Sequence, residues 1–191
     1  GRDADYAHVT GVTVARSKRA ASAAATLLET AVETDTTTTF DLRYREQDWS
    51  REEARSAAES LFPHVDVLFA TLEEAGTVFE EEGDPVEVAH AIRTSYEFET
   101  VVLTHGDGSA LAVHDDEVHE ADAVEADVVD DAGATDAFVG AFLAKRVGNG
   151  GVDEALAWAT AASALATTLE GDAVDVPRDR VATLATRDSD R

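Results

Sequence analysis

Along the chain, short continuous apolar runs alternate with longer stretches in which apolar residues recur at helical spacing. The short runs read as strands of a buried parallel sheet, and the periodic stretches read as the helices that cover it. Ala4 to Thr10 is the first such strand. Ser17 then opens a helix with Ala20, Ala24, Leu27 and Ala31 on one face. Thr37 to Leu42 is β-rich, and Ser50 starts the next helix with Glu53 placed to complete a capping box. Val65 to Ala70 reads as a strand buried on both faces. Thr71 to Glu74 opens another helix, and Asp84-Pro85 starts the one after, with proline at a first-turn position it tolerates. Thr100 to Thr104 and Ala110 to His114 are strands on either side of the turn Gly106-Asp107-Gly108, and Val118 to Val129 reads as further strand. Helices over Ala134 to Arg146, Val152 to Leu169 and a short stretch after Pro177 finish the chain.

Strands alternating with helices predict an α/β fold, a doubly wound and mostly parallel sheet with helices on both faces, formed by residues 1 to 191 as one domain. Ligands of such sheets lie beyond the carboxyl ends of the strands. Asp41, Arg43, Arg45, Thr71, Thr104, Gly106 and the segment Gly133 to Asp136 all fall at or just after those ends and are expected to share one rim. The segment Asp130-Asp131-Ala132-Gly133-Ala134-Thr135-Asp136-Ala137-Phe138 carries the most chemistry. It places small residues at the start of a long apolar helix, where unpaired N–H groups and the positive end of the helix dipole favour an anion. Asp136 has two readings. It is either a base beside an anion hole, suited to taking a proton from a hydroxyl while phosphate charge is held next door, or an ordinary acid of a helix's first turn.

Composition narrows the partners. The net charge is -25, with 40 acidic residues against 15 basic ones, so the surface repels nucleic acid and anionic membranes. The acids are spread along the whole chain, which argues against a tail or patch for one basic partner. Molar salt, with a Debye length of about 3 Å, screens such self-repulsion, and the acidity reads as adaptation to a salt-rich cytoplasm. There is no cysteine, which excludes disulfides, thiolate metal sites and a cysteine nucleophile. His114 and His119 bracket Asp115, Asp116 and Glu117, but without helical spacing the group reads as a solvated hairpin rather than a metal site. No stretch has the length of a membrane span or the pattern of a signal peptide. The chain begins at Gly1 and has no methionine, so it is read as processed or as the downstream part of something longer.

The order of these segments resembles the ribokinase-like, or pfkB-type, carbohydrate kinases, most of all 2-keto-3-deoxygluconate kinases and fructokinases. Asp130 to Phe138 resembles that family's D-T-T-G-A-G-D-A-F segment. The resemblance makes Asp136 the catalytic base, with the backbone N–H groups of Gly133, Ala134, Thr135 and Asp136 holding the transferred phosphoryl group. Phe40 to Trp49 resembles F-D-x-N-x-R-x-x-L-W, which assigns Arg45, with Arg43, to the substrate. A guanidinium there suits the carboxylate of a sugar acid, while the bland alternative is a surface arginine bridging two of the many acids. Thr71 to Glu74 stands for the family's N-x-x-E, making Glu74 the acid that organises Mg²⁺ and its waters, although the same residues also spell a capping box. Thr104 to Ser109 resembles the T-x-G-x-x-G nucleotide loop, one residue shorter, with Thr104, Gly106 and Gly108 as cofactor contacts or simply a hairpin turn. Ala157 to Asp172 resembles the helix and loop flanking the adenine, which brings in Thr160 and Gly171, and the positions of Gly171 and Asp130 leave room for K⁺.

The resemblance implies ATP with Mg²⁺, a small sugar or sugar-acid acceptor, a cytoplasmic location and room for a homo-oligomer. It also implies that the family's N-terminal strands and β lid are missing here. Thr135, Arg43, Thr71 and Asp48 depart from the pattern, Thr135 because a β-branched residue resists positive φ and crowds a phosphate. The leading expectation is therefore ATP-dependent phosphoryl transfer to a sugar or sugar-acid hydroxyl. The alternatives are a catalytically silent nucleotide-binding or interaction module, and an α/β domain without kinase ancestry.

Overall fold

The computed structural model describes residues 4–171 and 175–188. Among the described residues the strands are β1 (Tyr6–Thr10), β2 (Thr37–Asp41), β3 (Val67–Thr71), β4 (Thr100–Thr104), β5 (Ala110–His114) and β6 (Glu117–Ala121). They form one sheet in the order β1-β2-β3-β4-β5-β6. The helices are α1 (Gly11–Ala15), α2 (Lys18–Glu33), α3 (Arg51–Leu61), α4 (Leu72–Phe79), α5 (Pro85–Tyr96), α6 (Ala134–Val147), α7 (Val152–Thr167) and α8 (Arg178–Asp188). Contacts divide the chain into two compact units, Gly1–Leu103 with Val113–Glu117 and Thr104–Ala112 with Val118–Arg191.

In the first unit β1, β2 and β3 pair in parallel, Val9 opposite Phe40 and Phe40 opposite Leu68. Parallel neighbours need a crossover, and α2 and α3 supply them. Each of these helices begins where a side chain satisfies orphan backbone donors. Ser17 Oγ accepts the Ala20 N–H, and Ser50 and Glu53 close the expected capping box. Phe40, Leu42, Leu68, Val101 and Val102 are fully buried, as strands covered on both faces require. Phe62, in a one-turn 3-10 helix after α3, is the hub of an aromatic cluster, with ring centroids 4.8 Å from Tyr96, 4.9 Å from Phe98, 5.8 Å from Phe79 and 6.1 Å from Phe40. Tyr96 donates its hydroxyl to Glu59, and burial, with that carboxylate, pushes the phenol up to about 12. Gly11 is obligatory for a different reason: a Cβ there would stand 1.9 Å from the carbonyl oxygen of Leu42.

In the second unit α6, α7 and α8 pack together. Ala161, Ala162 and Leu165 of α7 meet Val181 and Ala185 of α8, and the alanine-rich composition of α7 lets backbones approach closely. No helix among the described residues is long and apolar enough to cross a membrane.

Two expectations need correction. On α2 the buried leucine is Leu28, not Leu27, which is 47% exposed; the buried stripe runs Ala24, Leu28, Ala31. Strand does not continue from Val118 to Val129. β6 ends at Ala121, and the chain then runs without regular structure, Val128 and Val129 exposed. The N–H groups of Val129 and Asp130 go to the Thr167 carbonyl at the end of α7 and not to a neighbouring strand. Helix α1, capped by Thr10, was not foreseen, because its Gly-Val-Thr-Val-Ala sequence is rich in β-branched residues.

Candidate active site

The second unit holds the helix start. Gly133 adopts φ 80° and ψ -10°, a left-handed conformation open to glycine at no steric cost, and it turns the chain into α6. Helices α2 to α5 each have a side chain accepting a first-turn N–H, whereas α6 has no such side-chain cap. Of its first-turn donors, the Ala134 N–H goes to the carbonyl oxygen of Asp131 at 3.2 Å, and a helix start of this kind is electrostatically suited to an anion. Asp136 lies in that first turn and is exposed. Thr135 has no positive φ; the left-handed residue of the segment is Gly133. The backbone objection to Thr135 is thus removed, because the strained turn precedes it by two residues and helical φ suits threonine.

Asp130, expected near a cation, has another occupation here. Its Oδ1 accepts the Ala132 N–H and its Oδ2 the Gly171 N–H, each at 2.9 Å. These two backbone donors hold its carboxyl below the usual range. Gly171 takes φ +88°, and nothing lies within 4 Å of where a Cβ would stand. Thr160 is placed differently from expectation. It is 1% exposed and its hydroxyl donates to the carbonyls of Leu156 and Ala157 on its own helix, so it presents no group to a ligand. Asp172, the last residue of that segment, lies outside the described residues.

Thr104 ends β4, and the loop after it is a closed turn in which the His105 N–H donates to Ser109 O and the Gly108 N–H to His105 O. Asp107 accepts from the Ser109 hydroxyl and N–H, which lowers its carboxyl. Gly106 faces open space, so a ligand can approach its backbone, and Gly108 takes φ +91°.

A feature not foreseen from sequence is an apolar cavity of about 320 Å³ lined by Ala137, Gly140 and Ala144 of α6, Trp158 and Ala162 of α7 and Arg178 of α8. The Lys145 ammonium and the Arg178 guanidinium stand 5.0 and 5.4 Å from the Trp158 ring centre. The only sequence signal was the small-residue stripe Ala137, Gly140, Ala141, Ala144 at helical spacing.

In the first unit, parallel pairing puts the carboxyl ends of β2 and β3, and so Asp41 and Thr71, on one edge. Asp41 is buried and accepts from Arg43 Nε at 2.6 Å, while Arg43 itself takes φ 44°. Asp41 thus holds the Arg43 side chain by its Nε, with the side chain 22% exposed. Arg45 is exposed, its carbonyl accepting the N–H groups of Asp48 and Trp49 in the turn that follows. Thr71 and Glu74 do form the capping box: the Thr71 N–H donates to Glu74 Oε2 at 2.8 Å and the Glu74 N–H to Thr71 Oγ1 at 3.0 Å. Among the described residues no three His, Cys, Asp or Glu side chains are grouped to hold a metal. The Glu74 carboxylate is oriented by the capping box.

Comparison with known proteins settles the ancestry. A model of the pfkB family of carbohydrate kinases matches residues 2–179. The chain belongs to the pfkB family. This pfkB chain is 44% identical over 179 residues to a 2-dehydro-3-deoxygalactonokinase from Haloferax volcanii, covering 94% of the chain and 56% of that relative. Its fold matches the crystal structure of a 2-dehydro-3-deoxygluconokinase from Thermotoga maritima with TM-score 0.88 and 26% identity, over 95% of the chain and 60% of that protein. An E. coli structure titled as a ribokinase II in complex with ATP and Mg²⁺ shares the fold at TM-score 0.86 and 22% identity, over 97% of the pfkB chain and 60% of its own. The pfkB chain therefore spans little more than half the length of the relatives it matches.

Proposed function

We propose that this chain carries the nucleotide-binding and catalytic portion of a kinase that transfers the γ-phosphoryl group of ATP to a hydroxyl of a sugar acid. The observation that carries the reading is the uncapped start of α6, with Gly133 in the left-handed turn and Asp136 in the first helical turn. Phosphoryl transfer asks little covalent chemistry of a protein and much positioning and charge stabilisation. The N–H groups of Gly133, Thr135 and Asp136 hold the charge of the γ-phosphoryl oxygens, and that of Ala134 is shared with the Asp131 carbonyl. Asp136 takes the proton of the accepting hydroxyl as its oxygen bonds to phosphorus, and the bond to the leaving ADP oxygen breaks. Thr104, Gly106, Gly108 and Gly171 border the nucleotide, and the apolar cavity beside Trp158 receives the purine. Mg²⁺ would supply neutralisation of phosphate charge when bound, and Glu74 is the acid that would hold its waters.

Arg45 gives the acceptor its class. An exposed guanidinium after β2 recognises a carboxylate through paired hydrogen bonds that a neutral sugar cannot offer. A net charge of -25 sets the working condition as molar salt, where repulsion between acids is screened. The test is ADP release from MgATP at molar KCl with 2-keto-3-deoxy sugar acids and with fructose as acceptors. The acid is expected to be turned over with kcat/KM about tenfold or more above fructose, the worth of one charge-assisted contact. Turnover of fructose alone removes Arg45 from the acceptor site.

A second reading, a module that binds nucleotide without turnover, is supported by Thr135, Arg43 and Thr71, which depart from the family's pattern at functional positions. It predicts saturable MgADP binding and no ADP release with any acceptor.

A further inference from the structure

Asp130 does something no phosphate or sugar contact requires. The segment leading into the anion hole is fastened to the end of α7 by backbone groups: the Val129 and Asp130 N–H groups donate to the Thr167 carbonyl at 2.8 and 3.1 Å. The Asp130 side chain adds a second fastening in the opposite sense. One of its oxygens takes the Ala132 N–H, one residue before Gly133, and the other takes the Gly171 N–H, 41 positions away in sequence. Gly171 presents that N–H from φ +88°, a conformation in which any side chain would be strained. The direction of the first-turn donors of α6 depends on the turn at Gly133, and that turn is approached through Ala132. The Ala134 N–H donating to Asp131 O at 3.2 Å and the Ala137 N–H donating to Gly133 O at 2.9 Å also hold it locally.

We propose that Asp130 is a positioning residue, a two-pronged staple that joins the loop after α7 to the approach of Gly133 and so fixes the aim of the helix-start donors at the nucleotide phosphates. This rests on the kinase reading of the same helix start. A carboxylate is required for the geometry, because its two oxygens both accept. Asparagine has the same shape but one acceptor oxygen, and its NH₂ group faces a backbone donor in place of the second.

The test compares the wild-type chain with Asp130→Asn and Gly171→Ala at molar KCl. Asp130→Asn is expected to weaken MgADP binding by on the order of tenfold, the equivalent of one charge-assisted hydrogen bond. Gly171→Ala, which keeps the N–H but strains the φ +88° from which it reaches Asp130, is expected to weaken binding likewise. The double variant is expected to be no weaker than either single one, as for two halves of one contact. Amide exchange at Ala132 and Gly171 is expected to quicken in Asp130→Asn while the Phe142 amide within α6 stays protected, a pattern that general destabilisation does not give. Wild-type affinity with unchanged exchange at both amides overturns the staple. So does a wild-type-to-variant ratio that vanishes when NaCl replaces KCl, which assigns the effect to a bound cation. If the wild-type chain itself does not bind MgADP, the kinase reading falls, and the exchange comparison still decides whether the staple exists.

Discussion

Replacing Phe62 with alanine is expected to lower the stability of the first unit by about 3–5 kcal/mol, the range for deleting a large buried aromatic ring. The ring is 3% exposed and sits within 6.1 Å, centre to centre, of Phe40, Phe79, Tyr96 and Phe98. Two of those contacts are edge-on at under 5 Å, a geometry that adds about 0.5–1.5 kcal/mol per pair beyond the area buried. Those partners come from β2, α4, the end of α5 and the loop that follows it, so the cavity opens among several elements and cannot close by a single side-chain shift. Urea unfolding at molar KCl, followed by near-ultraviolet circular dichroism, reads the loss. A midpoint shift worth less than about 1 kcal/mol would show that the cluster repacks.

The second large effect concerns Asp136. Asp136→Asn keeps the side chain's shape and removes its capacity to accept a proton, and turnover is expected to fall by about 10²–10⁴-fold, the contribution of a positioned general base. Affinity for MgADP should hold or rise, since a negative charge beside the phosphates is removed. This opposite movement separates the two readings that the sequence leaves open. An acid serving only the helix dipole contributes about 0.3–1 kcal/mol to stability and nothing to kcat. Steady-state ADP release and equilibrium binding, measured on the same preparations, distinguish them. Undiminished turnover in the variant returns Asp136 to the dipole.

What the sequence could show was local. Ser17, Ser50, Thr71 and Asp84 cap the helices they were expected to open, because a cap is a contact among residues two or three apart. Gly133 was legible for the same reason, and the glycine-alanine start of α6 marked the turn. The choice between Leu27 and Leu28 was not legible, since adjacent leucines in an alanine-rich helix differ by only about 100° around the axis. Nor was the loss of strand after Ala121. Valines alternating with acids between 122 and 129 have the right period, but a strand also needs a neighbour, and Thr167 took the backbone donors instead. Functional positions divide along the same line. Thr71 and Glu74 were readable both as a metal motif and as a capping box, and the structure makes the box. Of the two objections to Thr135, the structure removes the one about positive φ and does not bear on the one about side-chain crowding. The withdrawal of Thr160 into its own helix, the pairing of Asp130 with Gly171 and the cavity under Trp158 all depend on elements brought together across long sequence separations. No local spacing announces them.

The claim on which the rest depends is that the start of α6 and the surfaces around it in the second unit bind a nucleotide through its phosphates. Calorimetric titration of the chain with MgADP at molar KCl tests it most directly. Saturable one-to-one binding with Kd below about 1 mM, the upper range of enzyme affinities for their substrates, is the predicted result. Absence of saturable heat at several times that concentration, with the chain folded by circular dichroism, would contradict it.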